Sequence, residues 1–106
     1  MLYELRRYKT TLAAASDFQN NFSHDLLPVL RECGFDLVGA WTIEIGDGSF
    51  ADLLWMLRWG SLSERENAYE RVRSDQRNTD FRTKNLPFLI ATSTEILRPA
   101  DFSPLA

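Results

Sequence analysis

The segment from residue 37 to residue 59, LVGAWTIEIGDGSFADLLWMLRW, constrains the fold more than any other part of the chain. Both of its ends are rich in residue types that suit a pleated strand, such as Val, Ile, Trp and Phe. Between them, Gly46, Asp47 and Gly48 tolerate the positive φ angles that a tight hairpin turn requires. We therefore predict two long antiparallel strands joined at Asp47 and Gly48.

This hairpin predicts which side chains share a face of the sheet, because residues directly opposite each other point the same way. The pairs expected on one face are Ile43–Asp52, Trp41–Leu54, Gly39–Met56 and Leu37–Arg58. The pairs expected on the other face are Thr42–Leu53, Ala40–Trp55 and Val38–Leu57. A bulge or a loop of odd length would change this register.

Both faces of the predicted hairpin are mainly apolar. A strand with one solvated face alternates between apolar and polar residues, whereas residues 53–57, LLWML, do not alternate at all. A short apolar run of this length and composition favours a strand that is covered on both sides. Each face of the sheet must therefore pack against another layer, which comes either from this chain or from a partner.

The rest of the chain supplies the other elements. Residues 2–8 alternate as a first strand, and residues 12–33 carry an apolar helical stripe that Pro28 should kink and Gly34 should end. Capping-box patterns after Gly60 predict a helix from Leu62 to about residue 74, with Leu62, Ala68, Tyr69 and Val72 on its inner side. Asp75 can cap a further short helix through Lys84, residues 88–97 form a last strand, and residues 98–106 form an extended tail.

The order β-α-β-β-α-β predicts a single α+β domain over residues 1–106, a ferredoxin-like fold with a four-stranded antiparallel sheet. In that topology both helices cover one face of the sheet and leave the other open. Because the open face is apolar, we expect a homodimer that packs sheet against sheet.

Composition narrows the classes of partner. The 106 residues carry a formal net charge of -3 and one cysteine, Cys33. No basic patch suggests nucleic acid or an anionic membrane, and no apolar run approaches a transmembrane span. The charged start MLYELRRYK is not a signal peptide pattern, so we expect a cytoplasmic protein. No phosphate-binding loop, cofactor motif or set of metal ligands is present, so no cofactor and no metal are predicted.

Four stretches together carry a resemblance to a known family. MLYELRRY, LVGAWTIEIG, DLLWMLRWGSLSEREN and the tail ILRPADFSP occur in this order over nearly the whole chain, and they resemble the NIPSNAP family. The resemblance implies a dimeric α+β barrel built from two ferredoxin-like subunits, and it implies no known activity. A wider similarity of fold to cofactor-free oxygenases and haem-degrading enzymes says little about chemistry.

The residues that could carry chemistry are few. His24 is the only histidine and could act as a general base, or it could be a partly exposed helix residue. Tyr3 is a second catalytic candidate. Cys33 lies on the apolar helix stripe, where an inert buried thiol is the simpler interpretation.

Aromatic and charged residues on the predicted strands could bind a ligand instead. Trp41 and Trp55 could line a pocket or simply pack in the core, and the register places them on opposite faces. Arg6 and Arg58 could bind a polar group of a ligand. Alternatively, Arg58 and Asp52 could form salt bridges that fix the dimer.

Two hypotheses follow. In the first, the chain is a homodimeric NIPSNAP-like protein that binds a small molecule or a protein partner. In the second, it is a small cofactor-free oxygenase or isomerase with a pocket between helices and sheet, in which His24, Tyr3, Trp55 and Arg58 would act. The second hypothesis requires that His24 or Tyr3 point into a closed pocket.

Overall fold

A computed structural model describes residues 1–105 of the chain. Its four strands are β1 (Leu2–Thr10), β2 (Asp36–Thr42), β3 (Asp52–Trp59) and β4 (Leu89–Leu97). They form one antiparallel sheet in the order β2-β3-β1-β4. This is the predicted ferredoxin-like α+β arrangement.

The hairpin between β2 and β3 confirms part of the predicted register. Trp41 pairs with Leu54, Gly39 with Met56 and Ala40 with Trp55, but a bulge at Val38 shifts the pairing so that Leu37 lies opposite Leu57. The prediction of long strands with a tight turn was wrong. Residues 43–51 form a long connection with bends at residues 44–48, not a tight turn at Asp47 and Gly48. Ile45, expected within a strand, is 95% exposed in that connection.

The helical stretch between β1 and β2 has the predicted interruption. It consists of α1 (Ala15–Asn21), a π-helical segment (Phe22–Leu26) and α2 (Leu27–Glu32). Pro28 has no backbone N–H and begins α2, so the wider π-helical turn lies where a regular α-helical hydrogen bond would be lost. Gly34 follows α2 with a φ of 100°, a conformation that favours glycine as a helix stop.

Two further helices follow β3, and both begin at predicted caps. At the start of α3 (Leu62–Arg73), the Ser61 hydroxyl accepts a hydrogen bond from the backbone N–H of Glu64. Asp75 likewise accepts from Arg77 N–H at the start of α4 (Gln76–Asn85). Ala68 and Val72 face inward as expected, whereas Leu62 is 54% exposed because it lies in the first turn of α3, beyond the edge of the core.

The core lies between the helices and one face of the sheet. On the sheet side it contains Leu53, Trp55, Leu57 and Trp59 of β3, which alternate with half-buried or exposed residues as strand geometry requires. On the helix side it contains Phe18, Phe22, Leu26, Val29, Leu30, Ala68, Val72 and Phe81.

Among the described residues, no helix packs over the opposite face of the sheet. Leu54 and Met56 are half-buried there, Trp41 is 50% exposed, and Arg58 is exposed. Residues 98–105 run beyond β4 without a helix or strand, and Tyr3 donates a hydrogen bond from its hydroxyl to the carbonyl oxygen of Leu105 at 3.1 Å. The last residue of the predicted tail, Ala106, lies outside the described residues. Within residues 1–105, the helices are all too short and too polar to span a bilayer.

A candidate binding cavity between sheet and helices

A cavity of about 310 Å³ lies between the helices and the sheet. Its volume is at the lower end of the range for small-molecule sites. Apolar side chains from every helix form most of its wall: Phe18, Leu26, Leu30, Val72 and Phe81. Polar groups enter from β1, β3, α3 and α4, so the cavity is an apolar chamber with a few defined polar contacts.

The polar side of the cavity adjoins a buried carboxylate. Glu4 of β1 is fully buried, and its Oε1 accepts hydrogen bonds from Arg65 Nε and Trp59 Nε1, both at 2.9 Å. Its Oε2 accepts from the Tyr69 hydroxyl at 2.7 Å and from an Arg65 Nη at 3.2 Å. A charge can be buried when it is paired and its lone pairs are satisfied, and both conditions are met here.

Arg6 lies next to this carboxylate and lines the cavity. Its Nη1 donates to the Tyr69 hydroxyl at 2.7 Å and to Glu4 Oε2 at 3.4 Å. Its guanidinium carbon lies 5.6 Å from the centre of the Tyr8 ring and 5.5 Å from that of Trp55. Contact with ring faces at this distance stabilises a partly desolvated cation. Alternation along β1 accounts for the geometry, because residues 4, 6 and 8 point to the same face.

The environment fixes the charge of each group. Burial alone would raise the pKa of Glu4, but hydrogen bonds from Arg65, Tyr69 and Trp59 outweigh burial, and this pKa lies below its ordinary value. Burial alone would lower the pKa of Arg6, but Tyr8, Tyr69 and Glu4 raise it overall. Burial raises the pKa of both Tyr8 and Tyr69. At neutral pH the site therefore holds an ionised carboxylate, a charged guanidinium and two neutral phenols.

Two buried donors, on side chains that line the cavity, have no partner. Among residues 1–105, the buried Nε of Arg6 and the buried indole Nε1 of Trp55 make no hydrogen bond. Both side chains line the cavity. Buried donors in folded proteins nearly always have a hydrogen-bond partner. Two such donors without partners beside the same cavity therefore need an explanation.

The structure brings together two of the residues that the sequence suggested for ligand binding, Arg6 and Trp55, and places the others elsewhere. Trp41 lies on the open face of the sheet, opposite Leu54. Arg58 is exposed and bonds Asp36 of its own chain through Nε at 3.0 Å. Neither Trp41 nor Arg58 contributes to the cavity wall.

The two catalytic candidates also lie outside the cavity. His24 is exposed on the π-helical segment, where its Nδ1 lies 2.9 Å from the carbonyl oxygen of Asn20. Tyr3 is buried on the other face of the sheet, under the tail. The condition that one of them point into the pocket is therefore not met. Asp52 is buried, and its Oδ2 lies 3.9 Å from Nη1 of Arg7 rather than near Arg58.

Sequence reasoning did not identify Glu4, Arg65 and Tyr69 as residues of the site. Glu4 lies two positions before Arg6 on β1, and Arg65 and Tyr69 lie four residues apart on α3. These spacings place each group on one face of its element. The pattern was visible, but a strand that carries Glu and Arg on its inner face is more easily interpreted as a solvated edge.

Fold and cavity together define a ferredoxin-like α+β protein with an internal chamber between helices and sheet. The NIPSNAP family model matches residues 3–104. The chain therefore belongs to the NIPSNAP family, as its four sequence blocks suggested. A comparison with functionally curated proteins found no match.

Solved structures agree with this assignment. An uncharacterised NIPSNAP domain protein from Burkholderia xenovorans is 25% identical, with 98% of this chain and 99% of that chain covered and a TM-score of 0.87. A NIPSNAP family protein from Agrobacterium tumefaciens is 22% identical, with coverages of 99% and 98% and a TM-score of 0.89. A proposed antibiotic biosynthesis monooxygenase from Nitrosomonas europaea is 8% identical, with coverages of 93% and 98% and a TM-score of 0.68. The last two similarities lie below 25% identity and concern the fold alone.

Proposed function

We propose that this NIPSNAP protein is a homodimer whose subunits each bind a small, largely apolar molecule in the cavity between helices and sheet. The observation that carries the ligand proposal is the cavity itself. It provides about 310 Å³ beside the aromatic residues Tyr8, Phe18 and Trp55 and opens to solvent past the exposed Arg82, and concave, mainly apolar sites of this kind bind small molecules. A fold that only needed a core could fill this space with larger side chains.

The chemistry of the wall favours binding over acid–base catalysis. Among the described residues, no histidine and no carboxylate lines the cavity. A general base needs a pKa near the working pH, but the pKa values of Tyr8 and Tyr69 are raised from their ordinary alkaline values. The oxygenase or isomerase alternative would have to find its proton acceptor in the substrate or outside this wall.

Titration with a neutral aromatic probe, 2-naphthamide, tests the ligand proposal. We expect one saturable site per chain, and we expect Val72→Phe to abolish it, because Val72 lines the cavity and a phenyl ring would occupy the space. Val38→Phe adds the same volume at a position that is 42% exposed and should leave binding unchanged. The absence of saturation, or equal binding by Val72→Phe with unchanged circular dichroism, would contradict the proposal.

The open sheet face supports the homodimer. Leu5, Leu54 and Met56 are only half-buried within one chain, and Trp41 is 50% exposed beside them. Leu97 of the edge strand β4, which pairs with Tyr3 and therefore points to the same face, is also 37% exposed. Large contiguous apolar patches are uncommon on monomers. Two copies related by a two-fold axis would cover both patches at once, since a two-fold interface uses the same surface of each subunit.

Sedimentation equilibrium tests the assembly. We expect a particle of twice the 12.2 kDa chain mass over the accessible concentration range. A chain that sediments as 12.2 kDa at every concentration while remaining folded would contradict the dimer.

A further inference from the structure

We infer that the ligand of the cavity carries a carboxylate, or a group of the same charge and acceptor geometry, which binds Nε of Arg6 and Nε1 of Trp55. This inference rests on the proposed ligand-binding function and assigns the chemical class of the ligand. Three independent observations lead to it: the charge of the buried cluster, the charge of the cavity wall and the two unpaired donors.

Two arginines share the one buried carboxylate of the cluster. Glu4 lies 2.9 Å from Arg65 Nε and 3.4 Å from Arg6 Nη1. Arg65 also pairs with the exposed carboxylate of Glu66 at 3.5 Å, so Arg6 is the arginine that has only a share of Glu4. An anion placed against Arg6 would compensate this partly desolvated charge.

The cavity wall continues the same sign of charge. Within residues 1–105, its charged residues are three arginines, Arg6, Arg73 and Arg82, and it contains no acidic side chain. Arg73 is paired with Glu70 at 2.9 Å, but Arg82 forms no ion pair in the described part of the chain. Arg82 is exposed and lies close enough to Tyr8 to lower its pKa in part. A cationic wall with few screening charges concentrates anions at the entrance.

The unpaired donors indicate where in the cavity an anion would bind. Within residues 1–105, Arg6 donates both of its hydrogen bonds through Nη1, which leaves its buried Nε without a partner. The Trp55 indole N–H is likewise buried and unpaired, and its ring lies 5.5 Å from the guanidinium carbon. A guanidinium edge presents donors to a carboxylate in a fixed planar arrangement. The indole can supply a further donor to the same anion.

The rest of the ligand must be apolar. Beyond the arginines, Asn78, Asn85 and Thr92, the wall consists of aromatic rings and aliphatic side chains, including Phe18, Leu30 and Phe81. A wall of this composition favours a compact, flat or branched apolar body attached to the anionic group. A small aromatic or branched-chain carboxylic acid has both parts.

Isothermal titration with 2-naphthoate and 2-naphthamide at neutral pH separates this inference from the proposed function. The two probes share their rings and differ in the charge of the acceptor group. We expect the wild-type protein to bind the carboxylate at least about tenfold more tightly than the amide, since hydrogen bonds to charged groups exceed those to neutral ones.

Two variants test which side chains cause the preference for the carboxylate over the amide. Trp55→Phe keeps a ring in the wall and removes one donor, so the preference should fall by about threefold or more. Arg6→Gln removes the charge and should reduce the preference to about one. Arg31→Gln, at an exposed position of α2, and Trp41→Phe, on the open face, should both retain the wild-type preference.

Each outcome is decisive. Equal affinity for both probes in the wild-type protein would overturn the anionic ligand and leave the proposed binding function standing. A wild-type preference that survives in both Trp55→Phe and Arg6→Gln would also overturn it, because the anion would then bind elsewhere. Saturation by neither probe would overturn both proposals.

Discussion

The hydroxyl of Tyr69 accepts a hydrogen bond of 2.7 Å from Nη1 of Arg6, and this bond joins α3 to β1 beside the cavity. Because Arg6 lies on the strand and Tyr69 on the helix, the bond fixes the position of the guanidinium relative to the wall. The same hydroxyl donates its own hydrogen to Glu4. A donor and acceptor used together in this way make the three residues one polar unit within an apolar core.

Tyr69→Phe should destabilise the protein by about 1–3 kcal/mol, since it leaves both Arg6 Nη1 and Glu4 with one hydrogen bond fewer in a buried site. Urea denaturation measures the change. Tyr3→Phe is a matched control, because its hydroxyl donates to the carbonyl oxygen of Leu105 in the tail, away from Glu4 and Arg6, and we expect a loss of no more than about 1 kcal/mol. Equal losses of stability in the two variants would show that the hydrogen bonds of Tyr69 to Glu4 and Arg6 contribute no more than the single hydrogen bond of Tyr3.

Glu4 should make stability depend on pH in the acid range. Its folded-state pKa lies below the ordinary value of 4.5, so the unfolded chain binds more protons than the folded chain between the two pKa values. The stabilisation is therefore complete above about pH 4.5 and is lost as the pH falls through the folded-state pKa. Urea denaturation between about pH 6 and pH 3 should show this decline in the wild-type protein.

Glu4→Gln should remove that contribution, so the free energy of unfolding of the variant should decline less than that of the wild-type protein as the solution is acidified. At neutral pH the variant should also lose about 3–5 kcal/mol, the cost of leaving buried partners without their counter-charge. Glu66→Gln is the control, because Glu66 is exposed and its pairing with Arg65 at 3.5 Å should contribute less than about 1 kcal/mol. The same decline in the free energy of unfolding on acidification, in Glu4→Gln and in the wild-type protein, would contradict the assignment to Glu4.

Trp41→Ala should weaken the proposed dimer by about 2–4 kcal/mol, the range for truncating a buried aromatic residue that anchors an interface. The expected result is dissociation at micromolar concentration, observed by sedimentation velocity. Leu62→Ala is the control, since Leu62 is 54% exposed on α3, away from the open sheet face. Unchanged sedimentation of Trp41→Ala would mean that subunits do not meet through this face.

The sequence was sufficient for the fold because the strongest signals were local. Alternation in β1, the Ser61 and Asp75 caps and Gly34 each determine one element or one boundary, and the structure has all of them. The register failed beyond Val38, since a bulge adds a residue that no periodicity shows, and at the predicted Ile43–Asp52 pair, because β2 ends at Thr42. The connection 43–51 was missed because its apolar residues, such as Ile45, resemble a strand while remaining exposed.

The site was harder to predict because it depends on contacts between elements distant in sequence. Arg6 and Trp55 were identified as candidates from their residue types, but the cavity that joins them arises from the packing of α3 and α4 over β1 and β3. Glu4 was overlooked because an acidic residue in a buried position is favourable only when its partners are known. Those partners, Trp59, Arg65 and Tyr69, lie at least 55 residues away along the chain.

The indole N–H signals of the three tryptophans test the central claim most directly, because each reports a different environment. Within residues 1–105, Trp55 Nε1 has no hydrogen-bond partner and its side chain lines the cavity. Trp59 Nε1 donates to Glu4, and Trp41 lies on the open face. In a proton–nitrogen correlation spectrum, titration with 2-naphthoate should move the Trp55 signal downfield in a saturable manner and leave the Trp41 signal in place. A saturating titration that leaves the Trp55 signal unchanged, or that moves the Trp41 signal instead, would contradict the account.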